Sequence, residues 1–132
     1  MTTRLTGLFQ ITGWDETAYR ENADGSKQTN AKITQTYQGD IEGTSELQHL
    51  MSYSSNGSAV FVGIETIVCS INGKSGNFVI QHKGKFEAGT ARSDFSIVPD
   101  SGKDEFEGIK GTGSFTSAEN GQASYILEIN SK

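Results

Sequence analysis

The chain has 132 residues, with 16 acidic side chains against 11 Lys and Arg and a formal net charge of −5 at pH 7. That length suits one domain, residues 1–132, and the charge balance leaves no basic stripe to neutralise phosphates, so no nucleic-acid partner is expected. No apolar run approaches the about 20 residues a membrane helix needs, and Met1 to Leu5 lack the apolar region of a signal peptide; no membrane partner and a cytoplasmic location are the resulting expectations.

Nearly every segment alternates with period two, as half-buried strands do. The first predicted strand is Thr6 to Gly13, with Gly7, Phe9 and Ile11 on one face and Trp14-Asp15-Glu16 ending it. Tyr19 to Asn30 is polar and reads as a long loop. From Ala31 to Glu42, Ala31, Ile33, Gln35, Tyr37 and Ile41 share a face, opposed by Lys32, Thr34, Thr36 and Asp40. The next strand, Ser45 to Tyr53, puts Leu47, His49, Met51 and Tyr53 on one side, and Ser54-Ser55-Asn56-Gly57 is a hairpin turn.

Ala59 to Ile71 is apolar on both faces, with Phe61, Ile67, Cys69 and Ile71 on one and Val60, Val62, Ile64 and Val68 on the other. Such a strand needs cover on both sides, from another segment or from a second subunit. Cys69, the only cysteine, excludes an intrachain disulfide and reads as a small buried hydrophobe. Asn72-Gly73 supplies the positive φ of a tight turn, and Asn77 to Phe86 carries Phe78, Ile80, His82 and Phe86 on one face. Thr90 to Val98 follows, with Ala91, Ser93, Phe95 and Ile97 aligned; Pro99 to Lys103 is a predicted loop. Phe106 to Phe115 reads as short strand, turn, short strand, and Asn120-Gly121 turns the chain into a closing strand, Gln122 to Ile129. About eight strands with mostly short connections predict a single all-β domain, an antiparallel eight-stranded β-barrel, with a β-sandwich as the alternative.

The ordered set Gly7-Leu8-Phe9 with Trp14-Asp15-Glu16, Gly39-Asp40-Ile41-Glu42-Gly43, Phe61-Val62-Gly63-Ile64-Glu65, Asn72 to Phe86, Val98-Pro99-Asp100-Ser101-Gly102 and Phe106 to Phe115 resembles a bacterial family of uncharacterised small proteins with the allene oxide cyclase-like barrel fold. The resemblance spans almost the whole length. It implies an eight-stranded barrel that assembles as an oligomer, a dimer being favoured, and it implies no activity. Allene oxide cyclase itself is a fold-level analogy, from which no catalytic residue carries over.

Several residues pair chemistry with an apolar face. His82, among Phe78, Ile80 and Phe86, is a candidate hydrogen-bond or proton partner for a ligand in the barrel, set against a core histidine satisfied by a neighbour. Glu65 shares a face with Phe61, Ile67 and Cys69, where an acid is costly unless paired or neutral; with His82 it would form a polar anchor. Tyr53, Tyr37 and Gln35 offer polar groups on apolar faces, and Trp14 would lid or plug a barrel mouth. A zinc site from His49 and His82 lacks a third ligand, so neither metal nor cofactor is expected. Gly108, Gly111 and Gly113 lack the βαβ setting of a dinucleotide site. These residues predict a protein that binds a small apolar molecule in an apolar interior with a few polar anchors. An isomerase or cyclase using Glu65 and His82, or a structural barrel with a filled core, are the alternatives; no catalytic residue is assigned.

Overall fold

A computed structural model describes residues 2–117 and 120–130. They form β1 (Thr2–Glu21), β2 (Lys27–Gly39), β3 (Glu42–Tyr53), β4 (Ala59–Ile71), β5 (Lys74–Glu87), β6 (Thr90–Ile97), β7 (Lys103–Asp104), β8 (Lys110–Ser117) and β9 (Gln122–Asn130). All pairings are antiparallel in the order β4-β3-β2-β1-β9-β8-β6-β5, and β4 pairs with β5 to close the ring. The result is an eight-stranded barrel, as the alternation predicts, with β7 an extra two-residue strand on β5. Closure satisfies the backbone groups that an open sheet would expose.

The inward and outward faces follow the predicted alternation. Ala59, Phe61, Glu65, Ile67, Cys69 and Ile71 of β4 are buried, whereas Val60, Val62, Ile64 and Val68 face out. Asn72 (φ 51°) and Gly73 (φ 80°) both adopt the left-handed conformation, the requirement of a two-residue turn whose twist matches its strands.

Four expectations are overturned. The predicted end of the first strand at Trp14-Asp15-Glu16 and the loop from Tyr19 to Asn30 are replaced by strand: β1 runs to Glu21, and only residues 22–26 turn the chain into β2. Bulges between Ile11 and Gly13 and between Ala18 and Arg20 shift the register against β2, so period two fails locally and hides the strand. Likewise Phe106 to Gly108 is turn, and Lys110 to Ser117 is one uninterrupted strand. A side chain at Gly113 would collide with the Ile126 carbonyl and the Phe95 ring; this glycine admits a close neighbour within a strand and does not mark a turn. Lys103, placed in a loop by the sequence, pairs with Asn77 in β7.

The lumen is filled by the chain's own side chains. Phe9 packs on Tyr37 and edge-on to Phe115, with centroids 5.4 and 5.2 Å apart, and Phe78 meets Phe106 edge-on at 5.6 Å. Leu5, Ile67, Phe78, Ile80 and Leu127 are almost completely removed from solvent. Eight strands enclose a space that side chains can fill or that one small ligand can occupy; in this barrel aromatic rings take the centre. Two depressions, of about 920 and 960 Å³, are open and lined mainly by outward-facing residues. Burial pushes the Cys69 thiol up to about 12, so it serves as packing and stays protonated.

Candidate functional site

Register builds the inner polar cluster. Glu65 on β4 stands opposite Ile80 and Gly63 opposite His82, so Glu65 and His82 are diagonal neighbours on the inner face, within reach of long side chains. His82 Nε2 lies 2.7 Å from Glu65 Oε1, and the Tyr37 hydroxyl donates to Glu65 Oε2 at 2.6 Å. With a carboxylate as its partner, Nε2 carries a proton and donates; Nδ1 shares a hydrogen bond with the Ser93 hydroxyl, 2.9 Å away. Ser45 Oγ sits 3.4 Å from Gln35 Oε1 beside this group.

Burial works to raise the Glu65 pKa. The hydrogen bond and charge of His82, with hydrogen bonds from Ser45 and Tyr37, outweigh it and hold the carboxyl below its ordinary value. The same carboxylate, added to burial, drives the Tyr37 hydroxyl well above the ordinary tyrosine range. The balance favours the carboxylate form of Glu65, hydrogen-bonded in the core.

Ser93, His82 and Glu65 follow the order hydroxyl, imidazole, carboxylate that hydrolases use. Access sets this chain apart from a nucleophile. Ser93 and His82 are 3% and 2% exposed, and Ser93 Oγ also approaches the Asp94 and Lys83 carbonyls at 3.2 and 3.5 Å. The arrangement orients an imidazole inside a packed wall.

His49 completes the cluster. Its ring meets that of Phe61 at 4.6 Å and that of His82 edge-on at 5.3 Å, and its buried Nδ1 has no hydrogen-bond partner among the described residues. Burial first, then the neighbouring His82, push its pKa down to about 4, against the opposing pull of Glu65 and the Val62 carbonyl. No group of three or more His, Cys, Asp or Glu side chains among the described residues could hold a metal ion. The ring occupies the space that a side chain at Gly63 would need: an added Cβ would collide with His49 Nδ1. Gly63→Ala is accordingly expected to cost about 1–3 kcal/mol by overpacking, read as a lower urea midpoint. Pairing it with His49→Ala should recover only the part due to the ring, because the Gln48 carbonyl oxygen would stand 2.7 Å from the same Cβ.

A second cluster lies at the barrel end that carries the β1–β2 turn. Glu16, opposite Ala31, and Trp14, opposite Ile33, share the inward side of β1 past the first bulge. Thr29 donates to Glu16 Oε2 at 2.6 Å, Tyr53 to the same oxygen at 2.8 Å, and the Trp14 indole to Oε1 at 3.1 Å. Lys27 Nζ stands 5.0 Å from the Tyr53 ring centroid. Partial burial opposes ionisation of Glu16; those three hydrogen bonds and the charge of Lys27 overcome it and lower its pKa. Half-buried Ile11, Tyr53, Phe86 and Ala91 pack against the core around this mouth. Trp14 remains 48% exposed, so it stands beside the mouth without sealing it.

The six sequence candidates thus fall into two groups. Glu65, His82 and Tyr37 are joined directly, with Gln35 beside them through Ser45; Tyr53 and Trp14 meet through Glu16. Sequence reasoning missed Glu16 and Thr29, which fell in the predicted strand end and loop, and Ser93. For Ser93 a signal existed: it lies on the same predicted face as Phe95 and Ile97, where a hydroxyl requires a partner.

The family model described as "Protein of unknown function (DUF3224)" matches residues 5–129. A solved structure, of a protein with unknown function from the DUF3224 family of Shewanella oneidensis MR-1, is 31% identical, with a TM-score of 0.85, 100% of this chain covered and 98% of that one. No curated protein matches.

Proposed function

We propose that this chain, which belongs to the DUF3224 family of proteins of unknown function, is a non-catalytic barrel that binds a small, largely apolar molecule at its mouth. The observation that carries this reading is the state of the Glu16 carboxylate. A carboxylate offers about four acceptor sites, and Glu16 receives three hydrogen bonds, two on Oε2 and one on Oε1. One acceptor site on Oε1 is left, held in place on a half-buried group between an indole and a phenol. Pockets that recognise small molecules combine apolar walls with a few fixed polar groups. Ile11, Phe86 and Ala91 supply apolar wall, and the ligand contributes one N–H or O–H donor to Glu16.

The inner cluster supports a structural role for Glu65 and His82, because each polar atom of that pair already has a partner inside a filled lumen. Turnover by those two residues would need a substrate to displace Phe61, Phe95 or Phe115, which are all buried.

Trp14 is the only tryptophan, so its fluorescence reads the mouth alone. N-phenyl-1-naphthylamine, an apolar probe with one N–H donor, is expected to quench Trp14 emission saturably at micromolar concentration. Glu16→Ala should weaken that binding about tenfold, the loss of one hydrogen bond to a charged acceptor. Quenching that does not saturate, or that is unchanged in Glu16→Ala, contradicts the mouth as the site.

A further inference from the structure

The outer face of β4 carries Val60, Val62, Ile64 and Val68 at 51–61% exposure, and Leu50 of β3, opposite Val62, is 50% exposed. Val60, Val62, Ile64 and Leu50 form an apolar patch, separated from Val68 by Thr66, in a protein whose other outward positions are mostly polar, and contiguous exposed apolar surface marks an interaction site. Charge tells what covers it. On the β3 side, Glu46 is opposite Thr66; on the β5 side, Lys83 is opposite Val62. Ile64 lies between Thr66 and Val62 on the same face, so it sits at the midpoint of the Glu46–Lys83 diagonal.

Strand spacing and rise put the two charges about 16 Å apart, too far to pair within one chain. Among the described residues neither forms an ion pair, although Asp94 on β6 stands directly opposite Lys83. An acid and a base at equal distances on opposite sides of an apolar centre form a self-complementary pattern. A two-fold axis lying in the face through Ile64, perpendicular to that diagonal, exchanges the two positions. Each Glu46 then meets the Lys83 of the other copy, and Ile64 meets its own counterpart, as an isologous interface requires. The strands of the two faces cross at roughly 70°, near the orthogonal class of sheet packing.

We propose that the outer face of β4 is the homodimer interface of this protein, centred on Ile64 and held in register by reciprocal Glu46–Lys83 pairs.

The test is sedimentation equilibrium with light scattering on the intact chain and its variants, the fold of each checked by circular dichroism. The unaltered protein is expected to be a dimer at tens of micromolar, and Ile64→Arg a folded monomer. Should Ile64→Arg fail to fold, Ile64→Thr, which keeps strand propensity and removes apolar area, must weaken the dimer in the same direction. Glu46→Lys and Lys83→Glu should each weaken the dimer about tenfold through like-charge contacts. The double variant, Glu46→Lys with Lys83→Glu, should restore it to within about threefold of the parent, because the two-fold turns the swap into the same pairs reversed. A monomer at 100 µM (an order of magnitude that no stable homodimer would show), a trimer, a dimer indifferent to Ile64→Arg or Ile64→Thr, or a double variant no tighter than the singles overturns the proposal.

Discussion

Glu65→Ala should lower the stability of this barrel by about 3–5 kcal/mol, the cost of removing one member of a buried carboxylate–imidazole pair and leaving its partners unsatisfied. For a chain of this length that corresponds to a midpoint of thermal unfolding lower by about 10–20 °C. The variant strips the acceptor from both His82 Nε2–H and the Tyr37 hydroxyl, two buried donors. Glu65→Gln should cost much less, since an amide oxygen still accepts one of those bonds and the volume is kept. Because Glu65 and His82 act on one network, Glu65→Ala combined with His82→Ala should lose less than the sum of the single variants, which a double-mutant cycle reads directly. An Ala variant that melts within a few degrees of the parent would mean that the pair contributes nothing to the fold.

The second large effect is loss of stability in mild acid, and its source is His49. Burial and the adjacent His82 hold its folded pKa at about 4, against an ordinary value of 6.5. Between those values the unfolded chain binds a proton that the folded chain refuses, so unfolding gains as pH falls. The gap amounts to about 3 kcal/mol, absent above pH 6.5 and fully developed near pH 4. Glu65 adds to the loss at the acid end. Its folded pKa is depressed, so its contribution is present above the ordinary carboxyl value and disappears as pH drops through the folded one. The groups packed against His49 are His82 from β5 and Glu65 from the β4 wall, and their opposing charges are already part of this balance. Urea midpoints measured from pH 8 to pH 4 should fall steadily in the parent protein. In His49→Leu they should stay level down to about pH 4.5, whatever the offset the substitution itself introduces. Parallel slopes in the two proteins would place the acid sensitivity elsewhere.

How much of this was legible in the sequence follows from where period two survives. Between Ala31 and Ile97 the alternation is clean, and there the sequence assigned inner and outer faces correctly, including Glu65 and His82 on the buried side. That assignment needs no tertiary knowledge, because a strand with one apolar face has one way to bury it. What failed was local. The bulges near Thr12 and Ala18 reset the phase, so Glu16 and Thr29, which hold the mouth together, were hidden in apparent loop. The partnership of Glu65 with Tyr37 across 28 positions depends on strand order and shear, which a linear pattern does not encode. The filling of the lumen depends on rings such as Phe95 leaning into space left by glycines such as Gly113, a relation between strands and not a property of either.

Recognition at the mouth leaves the lumen a closed core. A titration of the isotopically labelled protein with N-phenyl-1-naphthylamine, followed by amide and indole NMR shifts, addresses it residue by residue. Shifts are expected at the Trp14 indole N–H and at Glu16, Thr29 and Tyr53, with the amides of Gly63, Glu65 and His82 unmoved. Shifts concentrated at Glu65, His82 and Ser93 would put the ligand among the core rings and contradict recognition at the mouth.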